Sequence, residues 1–192
     1  VIFSPEDLSL IKDGPAERRR FLDMELSQIS NVYFYDLQQY YRVLKQRNNL
    51  LKEIKVKPAL ADTLFVWDEQ LIERGERIMA VRAKFLARLD EIAAQRHEIL
   101  TGGKDCLKPN CEGGSLREKL ERSLDRDIYT GSTNAGPHKD DILFLVNGKD
   151  VKQFGSQGQQ RTTALSARLA EIELIREETG ESPVLLLDDV LS

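Results

Sequence analysis

Apolar residues recur at every seventh position over a long stretch in the middle of the chain, and Trp67, Val81 and Leu89 widen this stripe. Seven-residue spacing sustained over such a length is typical of a coiled-coil seam. The sequence therefore predicts a single long helix, running to about residue 100, whose seam consists of Leu64, Leu71, Ile78, Phe85, Ile92 and Ile99.

A shorter helix with the same spacing precedes it, with Leu37, Leu44 and Leu51 as its apolar positions and Tyr41 beside them. A break that contains Pro58 separates the two helices, because proline interrupts helical hydrogen bonding. Two such helices joined by a short turn predict an antiparallel hairpin that projects as an arm from a body. A plain helical bundle is the alternative interpretation.

Strand-like patterns flank this helical region. The order of strand, helix and strand in the last third of the chain predicts an α/β arrangement, with a buried final strand. The predicted elements are strands at residues 1–3, 141–146, 151–154 and 184–187, a loop at 101–115, an Asn147-Gly148 hairpin turn, and helices at 115–129 and 159–179 closed by Gly180.

The chain has 192 residues and a net charge of -4, so it carries no overall positive field that would attract nucleic acid. Any such contact must come from a local patch. No apolar run approaches the roughly 20 residues of a membrane helix. The two cysteines, Cys106 and Cys111, are too few for a disulfide framework and do not suggest a zinc set. These features predict a cytoplasmic location and no membrane partner.

The sharpest candidate site lies at the start of the last predicted helix. Ser156 offers a hydroxyl, Gly158 offers bare backbone, and the first amides of a helix have no acceptor of their own. Together these groups form a cradle for an anion such as phosphate. A simple helix cap is the alternative interpretation.

A second candidate site follows the final apolar strand, where Asp188 and Asp189 come directly after three leucines. Carboxylates at the carboxyl edge of a sheet are costly unless they meet a cation or hydrogen bonds. The pattern favours Mg²⁺ held through one carboxylate and water, with the second carboxylate near the attacking water. Two aspartates that cap a turn are the alternative.

These two segments, residues 156–162 and 184–192, resemble the signature motif and the Walker B motif of the RecF family of ABC-type ATPases, which is related to the SMC family. Residues 1–8, 18–23 and 136–141 extend the likeness over nearly the whole chain. The resemblance implies an α/β fold, in which a partial ATPase head with a mixed sheet carries an inserted antiparallel helical-hairpin arm. The implied head is residues 1–24 and 131–192, and the arm is residues 25–130.

The family mechanism implies that two protomers form an ATP-dependent homodimer with ATP and Mg²⁺ between them. The residues that would meet the ATP of the opposite protomer are Ser156, Gln157, Gly158, Gln159, Gln160 and Arg161. Asp188 would support Mg²⁺, and Asp189 would act catalytically by orienting or polarising the hydrolytic water. Binding of ATP would close a DNA clamp, and hydrolysis would open it.

The implied partners are gapped duplex DNA and single-strand/duplex junctions, together with RecO and RecR, which help to load recombinase in DNA repair. Two other classes stay open. One is a non-catalytic helical-hairpin interaction module, and the other is a different SMC-like ABC ATPase.

The phosphate-binding loop G-x-x-x-x-G-K-[ST] does not occur in these 192 residues. Gly102-Gly103-Lys104-Asp105 comes nearest, but it lacks the spacing and the final hydroxyl. We expect the chain to be an internal piece of a longer protein, with little or no ATP hydrolysis of its own.

Weaker candidates have two interpretations each. Arg18, Arg19 and Arg20 could contact DNA phosphates, although a charge run is usually a solvated face. His138 suggests a structural hydrogen bond or a place near the nucleotide. His97 on the long helix is expected at the surface.

Overall fold

The computed structural model describes residues 2–3, 8–103, 107–111, 114–180 and 186–187, with side chains for 8–103 and 114–180. This part of the chain is mostly helical. Its elements are β1 (Ile2–Phe3), α1 (Ser9–Lys12), α2 (Pro15–Ile29), α3 (Asn31–Ile54), a 3-10 helix (Pro58–Thr63), α4 (Leu64–Thr101), β2 (Leu107–Cys111), α5 (Leu116–Thr130), β3 (Ile142–Val146), β4 (Lys149–Asp150), α6 (Val151–Phe154), α7 (Gln157–Thr179) and β5 (Leu186–Leu187).

The chain divides into two compact units, and each consists of separate segments. Unit 1 is Val1–Ile29, Ala83–Cys111 and Asp141–Ser192, and unit 2 is Ser30–Arg82 and Glu112–Asp140. Helix α4 contributes residues to both units because it runs through the boundary at Arg82.

In unit 2, α3 and the first half of α4 run antiparallel, as predicted. Residues later in α3 contact residues earlier in α4. The guanidinium of Arg82 donates to the hydroxyl of Tyr33 at 3.0 Å, whereas Arg47, further along α3, donates to Asp68 at 2.6 Å. At the turn end, a small apolar cluster of Leu51, Ile54 and Leu64 closes the hairpin.

The predicted seam on α4 is buried at Leu64, Leu71, Ile78, Phe85 and Ile92, but Ile99 is 69% exposed. On α3 the expectation for Tyr41 is wrong, because Tyr40 is the buried ring and Tyr41 points outward. An α-helix has 3.6 residues per turn, so a seven-residue repeat gradually rotates around its surface. Neighbouring positions therefore become the buried ones along the length of the helix.

Gly75 lies inside α4, where glycine normally costs about 1 kcal/mol relative to alanine. A side chain there would collide with Leu116 of α5 and come within 3.2 Å of Tyr40 on α3. The glycine therefore lets three helices of unit 2 approach each other closely.

Arg47 of unit 2 is fully buried, with no exposed surface. Besides Asp68, it donates to the carboxylate of Asp127 at 2.7 Å and to the hydroxyl of Thr133 at 2.8 Å. The other carboxylate oxygen of Asp127 accepts from the backbone amide of Asn134 at 2.9 Å. One side chain of α3 thereby fixes α4, α5 and the loop that follows α5.

Unit 1 contains helices α1, α2, α6 and α7 and two small sheets. β2, β3 and β4 form an antiparallel sheet in that order, with Cys111 opposite Ile142 and Leu145 opposite Asp150. β1 pairs with β5 in parallel, with Ile2 opposite Leu186. The predicted mixed sheet is therefore not present among the described residues, which contain only these two separate sheets.

Two local predictions in unit 1 are wrong. Residues 107–111, expected within a loop, form strand β2, whose Pro109 is tolerated because β2 is an edge strand. Residues 151–154, expected as a strand, form α6, because the Asp150 side chain accepts from the Lys152 amide at 2.9 Å and caps a helical turn. The Asn147-Gly148 turn is confirmed, with φ values of 52° and 76°.

Within the described ranges, no helix combines the length and apolar character needed to cross a membrane.

We expect Arg47→Met to lower the free energy of unfolding by about 3 to 5 kcal/mol, because it leaves Asp127 as a buried carboxylate without its cation. The measurement is urea denaturation followed by circular dichroism. Lys45→Met, on the exposed side of the same helix, should change stability by less than about 0.5 kcal/mol. Equal effects of the two substitutions would contradict a central role for Arg47.

Candidate functional site: the start of helix α7

Ser156 is the N-cap of α7 and forms a reciprocal capping box with Gln159. The Ser156 hydroxyl accepts from the Gln159 amide at 3.2 Å, and the Gln159 side-chain oxygen accepts from the Ser156 amide at 3.0 Å. This arrangement holds the end of the helix in a fixed geometry. The predicted helix start at residue 159 is therefore two residues late.

The amides of Gln157 and Gly158 lie in the first turn of α7, where helix geometry supplies no acceptor. Both residues are exposed, as is Ser156. The hydroxyl oxygen of Ser156 already accepts from Gln159, so its hydrogen is available to an outside acceptor. Three donors thus lie at the positive end of the α7 dipole, which is the chemistry expected for an anion.

Two glycines near the start of α7 differ in whether the fold leaves room for a side chain. At Gly155, a Cβ atom would lie 2.5 Å from the carbonyl oxygen of Val151, so the fold itself excludes a larger residue. At Gly158, the nearest atom to such a Cβ is the Ser156 hydroxyl at 3.8 Å, an ordinary contact. Nothing within the described fold requires glycine at position 158.

The predicted signature residues do not all face outward. The Gln160 side-chain amide donates to the carbonyls of Val151 at 3.3 Å and Gly155 at 3.4 Å, so it ties α6 to the start of α7. Arg161 is exposed just after the first turn of α7. Gln160 therefore holds the start of α7 in position, whereas Ser156, Gln157 and Gly158 expose their hydrogen-bond donors.

Further along α7, a buried pair of carboxyl groups fixes this helix against α2. Glu25 and Glu171 are both nearly inaccessible, and Arg168 donates to Glu171 at 2.6 Å. Burial, followed by the neighbouring Glu171, raises the pKa of Glu25 to about 7, against the opposing effect of Arg168. This pair could not be singled out from residue patterns, since both glutamates lie on ordinary charged helices.

His97 is fully buried, so the expectation of a surface position is wrong. Its Nδ1 lies 3.1 Å from the Ser166 hydroxyl, which in turn donates to the carbonyl of Thr162 at 2.7 Å. The side chain of His97 thus anchors α4 to the first half of α7 within unit 1.

Arg18 is buried in unit 1 and binds Asp141 through two bonds, from Nε at 2.6 Å and from Nη2 at 3.0 Å. It also donates to the carbonyl of Asp13 at 2.9 Å. These contacts join α2 to the strand that begins at Ile142. Any role of the arginine run in DNA contact therefore depends on Arg19 and on Arg20, whose side chain is 71% exposed.

His138 lies in unit 2 and has a partner at each ring nitrogen. Nε2 lies 3.0 Å from the carbonyl of Thr133, which can only accept, so Nε2 carries the proton. Nδ1 then accepts from the hydroxyl of Tyr40 at 2.7 Å. Burial raises the pKa of Tyr40 above its usual range and keeps that hydroxyl a donor. The structural hydrogen bond is present, and a place near a nucleotide stays a prediction.

The predicted Walker B residues Asp188 and Asp189 lie outside the described residues, as does Cys106. Strand β5, which immediately precedes the aspartates in the predicted run, pairs with β1 in parallel. The Mg²⁺ site therefore stays a prediction from the sequence.

Over its whole length, the chain is similar to known proteins that share one name. It is 52% identical over 196 residues to the DNA replication and repair protein RecF of Lachnoclostridium phytofermentans and covers 54% of that relative. The RecF of Bacillus velezensis is 45% identical over 207 residues, with 56% of its length covered. No protein-family model matches the chain.

Two solved structures agree with this similarity. They are forms of the recombination mediator protein RecF in the RecFOR pathway, RecF-ATPrS and RecF-ATP, with TM-scores of 0.94 and 0.93 and identities of 42% and 41%. Both match 100% of this chain, which covers 55% and 54% of them. The chain belongs to the RecF family of DNA replication and repair proteins, and it spans about half the length of the curated relatives it matches.

We expect the free energy of unfolding to fall as pH rises from about 4.5 to about 7, by an amount on the order of 3 kcal/mol. The pKa of Glu25 is higher in the folded chain than the usual 4.5, so its neutral form stabilises the fold at low pH. Ionisation beside Glu171 removes that contribution. The measurement is urea denaturation at a series of pH values.

Glu25→Gln should flatten this dependence, because the amide stays neutral and can still donate to Glu171. Glu17→Gln, on the same helix α2, serves as the matched control and should leave the pH dependence in place. A slope that survives in Glu25→Gln would show that another group causes it.

Proposed function

We propose that this chain is the signature-helix portion of an ATP-dependent, DNA-binding protein of recombinational repair. Membership of the RecF family supports this proposal, as do similar structures named RecF-ATP and RecF-ATPrS. The observation that carries it is the start of α7, where Ser156, Gln157 and Gly158 present three donors around a glycine that the described fold does not require.

The same residues fit the phosphate end of ATP. Ser156 and the amide of Gly158 would hold the γ-phosphate of ATP bound to a second copy of the protein. A side chain at position 158 would narrow the approach of such a ligand without disturbing the helix. Glycine there costs helix stability, so a close ligand offers a reason for its presence.

The remaining roles follow the family pattern. Asp188 would hold Mg²⁺ through water, and Asp189 would orient the water that attacks. Bound ATP would supply a phosphoanhydride bond, and hydrolysis of that bond would return the closed dimer to the open form. The protein's own residues bind and position, and the capping box keeps the donors of α7 in place before any ligand arrives.

DNA at gaps and single-strand/duplex junctions is the proposed substrate, with RecO and RecR as partners. Residues 1–24 and 131–192 would belong to the ATPase head, and residues 25–130 would form the helical arm. The hairpin of α3 and α4 is the feature that supports an arm. A helical-hairpin module with no nucleotide role is the competing function, and it would need no donors at the start of α7.

We expect Gly158→Ala to abolish ATP-driven dimerisation while leaving the fold as stable as before, or up to about 1 kcal/mol more stable. The added methyl group would obstruct the γ-phosphate but meets only the Ser156 hydroxyl within the described fold. The measurement is sedimentation velocity with and without ATP, in the chain extended to the full length of its relatives. Thermal unfolding of the same samples gives the stability.

Two further variants sharpen this test. Gly155→Ala should lower the unfolding temperature, because its methyl group would lie 2.5 Å from a backbone oxygen. Ser156→Arg should keep the fold and remain monomeric with ATP. A Gly158→Ala protein that dimerises normally with ATP would sink the proposal and favour a capping role alone.

The 192-residue chain by itself is expected to hydrolyse little or no ATP, because its sequence has no phosphate-binding loop. A coupled phosphate-release assay checks this, with the chain extended to family length as the positive control. Turnover by the short chain equal to that of the extended chain would contradict the expectation.

A further inference from the structure

The outward face of α3 carries a continuous row of exposed residues, which we name the α3 stripe. Successive members are separated by three or four residues, so they lie above one another along a single face of the helix. Arg42 flanks the row. The members of the α3 stripe are Phe34, Gln38, Tyr41, Lys45, Asn49 and Lys52, and all are exposed.

The α3 stripe is positively charged on a chain that is negative overall. Helix α3 has two carboxylates, Asp36 and Glu53, and neither belongs to the stripe. Asp36 is buried and accepts from Arg74 of α4 at 2.7 Å. By contrast, the first half of α4 exposes carboxylates at Glu69, Glu73 and Glu76. The positive character is therefore local to one face of unit 2.

The cations of this face are not occupied by carboxylates. Arg42, Lys45 and Lys52 make no ion pair with any residue whose side chain the structure describes. Other exposed cations of unit 2 do, because Arg77 binds Glu73 at 2.8 Å and Arg117 binds Glu69 at 2.7 Å. Cations without internal partners are available to an external anion.

Two aromatic rings alternate with these charges. Phe34 is 47% exposed and Tyr41 is 43% exposed, seven residues apart on the same face. The ring of Tyr41 meets that of buried Tyr40 edge-on, with centroids 5.8 Å apart, and this contact restricts its orientation. Exposed rings beside cations and side-chain amides are suited to stacking against unpaired bases.

We propose that the α3 stripe binds single-stranded DNA, with Arg42, Lys45 and Lys52 on phosphates and Phe34 and Tyr41 stacking against bases. The inference deepens the DNA-binding part of the proposed function and rests on it. A duplex would satisfy the cations but has no free base faces for the rings, so the aromatic residues favour a single strand. Phe34 and Lys52 are about 27 Å apart along the helix, enough for several nucleotides.

Contacts on the opposite face of α3 hold the helix that carries the stripe. Tyr33, Tyr40 and Arg47 are buried there and bond to Arg82, His138 and Asp127 respectively. The five side chains proposed to bind the strand can therefore act on one ligand without an ordering cost for the backbone that carries them.

The test compares two triple variants that remove the same charge in the chain extended to the full length of its relatives. The stripe variant is Arg42→Gln, Lys45→Gln and Lys52→Gln. The control variant is Arg77→Gln, Arg117→Gln and Arg122→Gln, whose cations are exposed in the same unit but already bound to glutamates. The probe is labelled oligothymidine of about 20 nucleotides, followed by fluorescence anisotropy at several salt concentrations.

The stripe variant should lower affinity for the single strand by at least about tenfold and reduce the slope of log affinity against log salt by about 2, since each phosphate contact contributes about 0.7. The control variant should change neither value by as much. Phe34→Ala and Tyr41→Ala should each weaken binding by about fivefold or more with the salt slope unchanged. Tyr129→Ala, which removes an 83% exposed ring from α5, should have no such effect.

Equal effects of the stripe and control variants would overturn the assignment, and so would affinity that survives in both. Aromatic variants that bind the single strand normally, or that lose duplex binding equally, would overturn the single-strand preference.

Each sample is also sedimented with ATP. A stripe variant that dimerises with ATP and binds DNA normally would refute the stripe alone, whereas failure of the unaltered protein to dimerise would count against the proposed function.

Discussion

The packing of unit 2 depends on one buried cation. Arg47 loses its hydration entirely, and only its bonds to Asp68, Asp127 and Thr133 offset that cost. These partners come from three different places in the sequence, so they can compensate the charge only when the helices and the loop after α5 are in their native arrangement. The same side chain that stabilises the hairpin thus also specifies it, and the outward face of α3 inherits a fixed geometry.

In unit 1, the start of α7 is held in place by contacts of several side chains. This candidate functional element is made of exposed donors, and the contacts that hold it lie away from them. Gln160 binds α6, Ser166 meets His97, and Glu171 shares a buried environment with Glu25. The exposed donors at the start of α7 are therefore not needed to stabilise the fold.

Local chemistry made much of this structure predictable. The seven-residue repeat located α4, Pro58 located the break, and Asn147-Gly148 located the hairpin turn, because each acts through the residues beside it. Strand β2 was missed because Leu107–Cys111 becomes a strand only through pairing with β3, a contact distant in sequence. His97 and Arg18 were misjudged for the same reason, since their burial depends on partners many residues away. The donors of α7 were predictable from Ser156 and Gly158, whereas the inward role of Gln160 required the geometry of α6.

Gly75 has a mechanical consequence for unit 2. Where α4 crosses Leu116 and Tyr40, only the absence of a side chain allows the contact. Sliding α4 by one helical turn, about 5.4 Å, would bring Leu71 or Met79 to that crossing, where neither side chain has room. The glycine therefore acts as an axial stop, so that a force applied at the turn end of the hairpin would displace its helices together and not past one another.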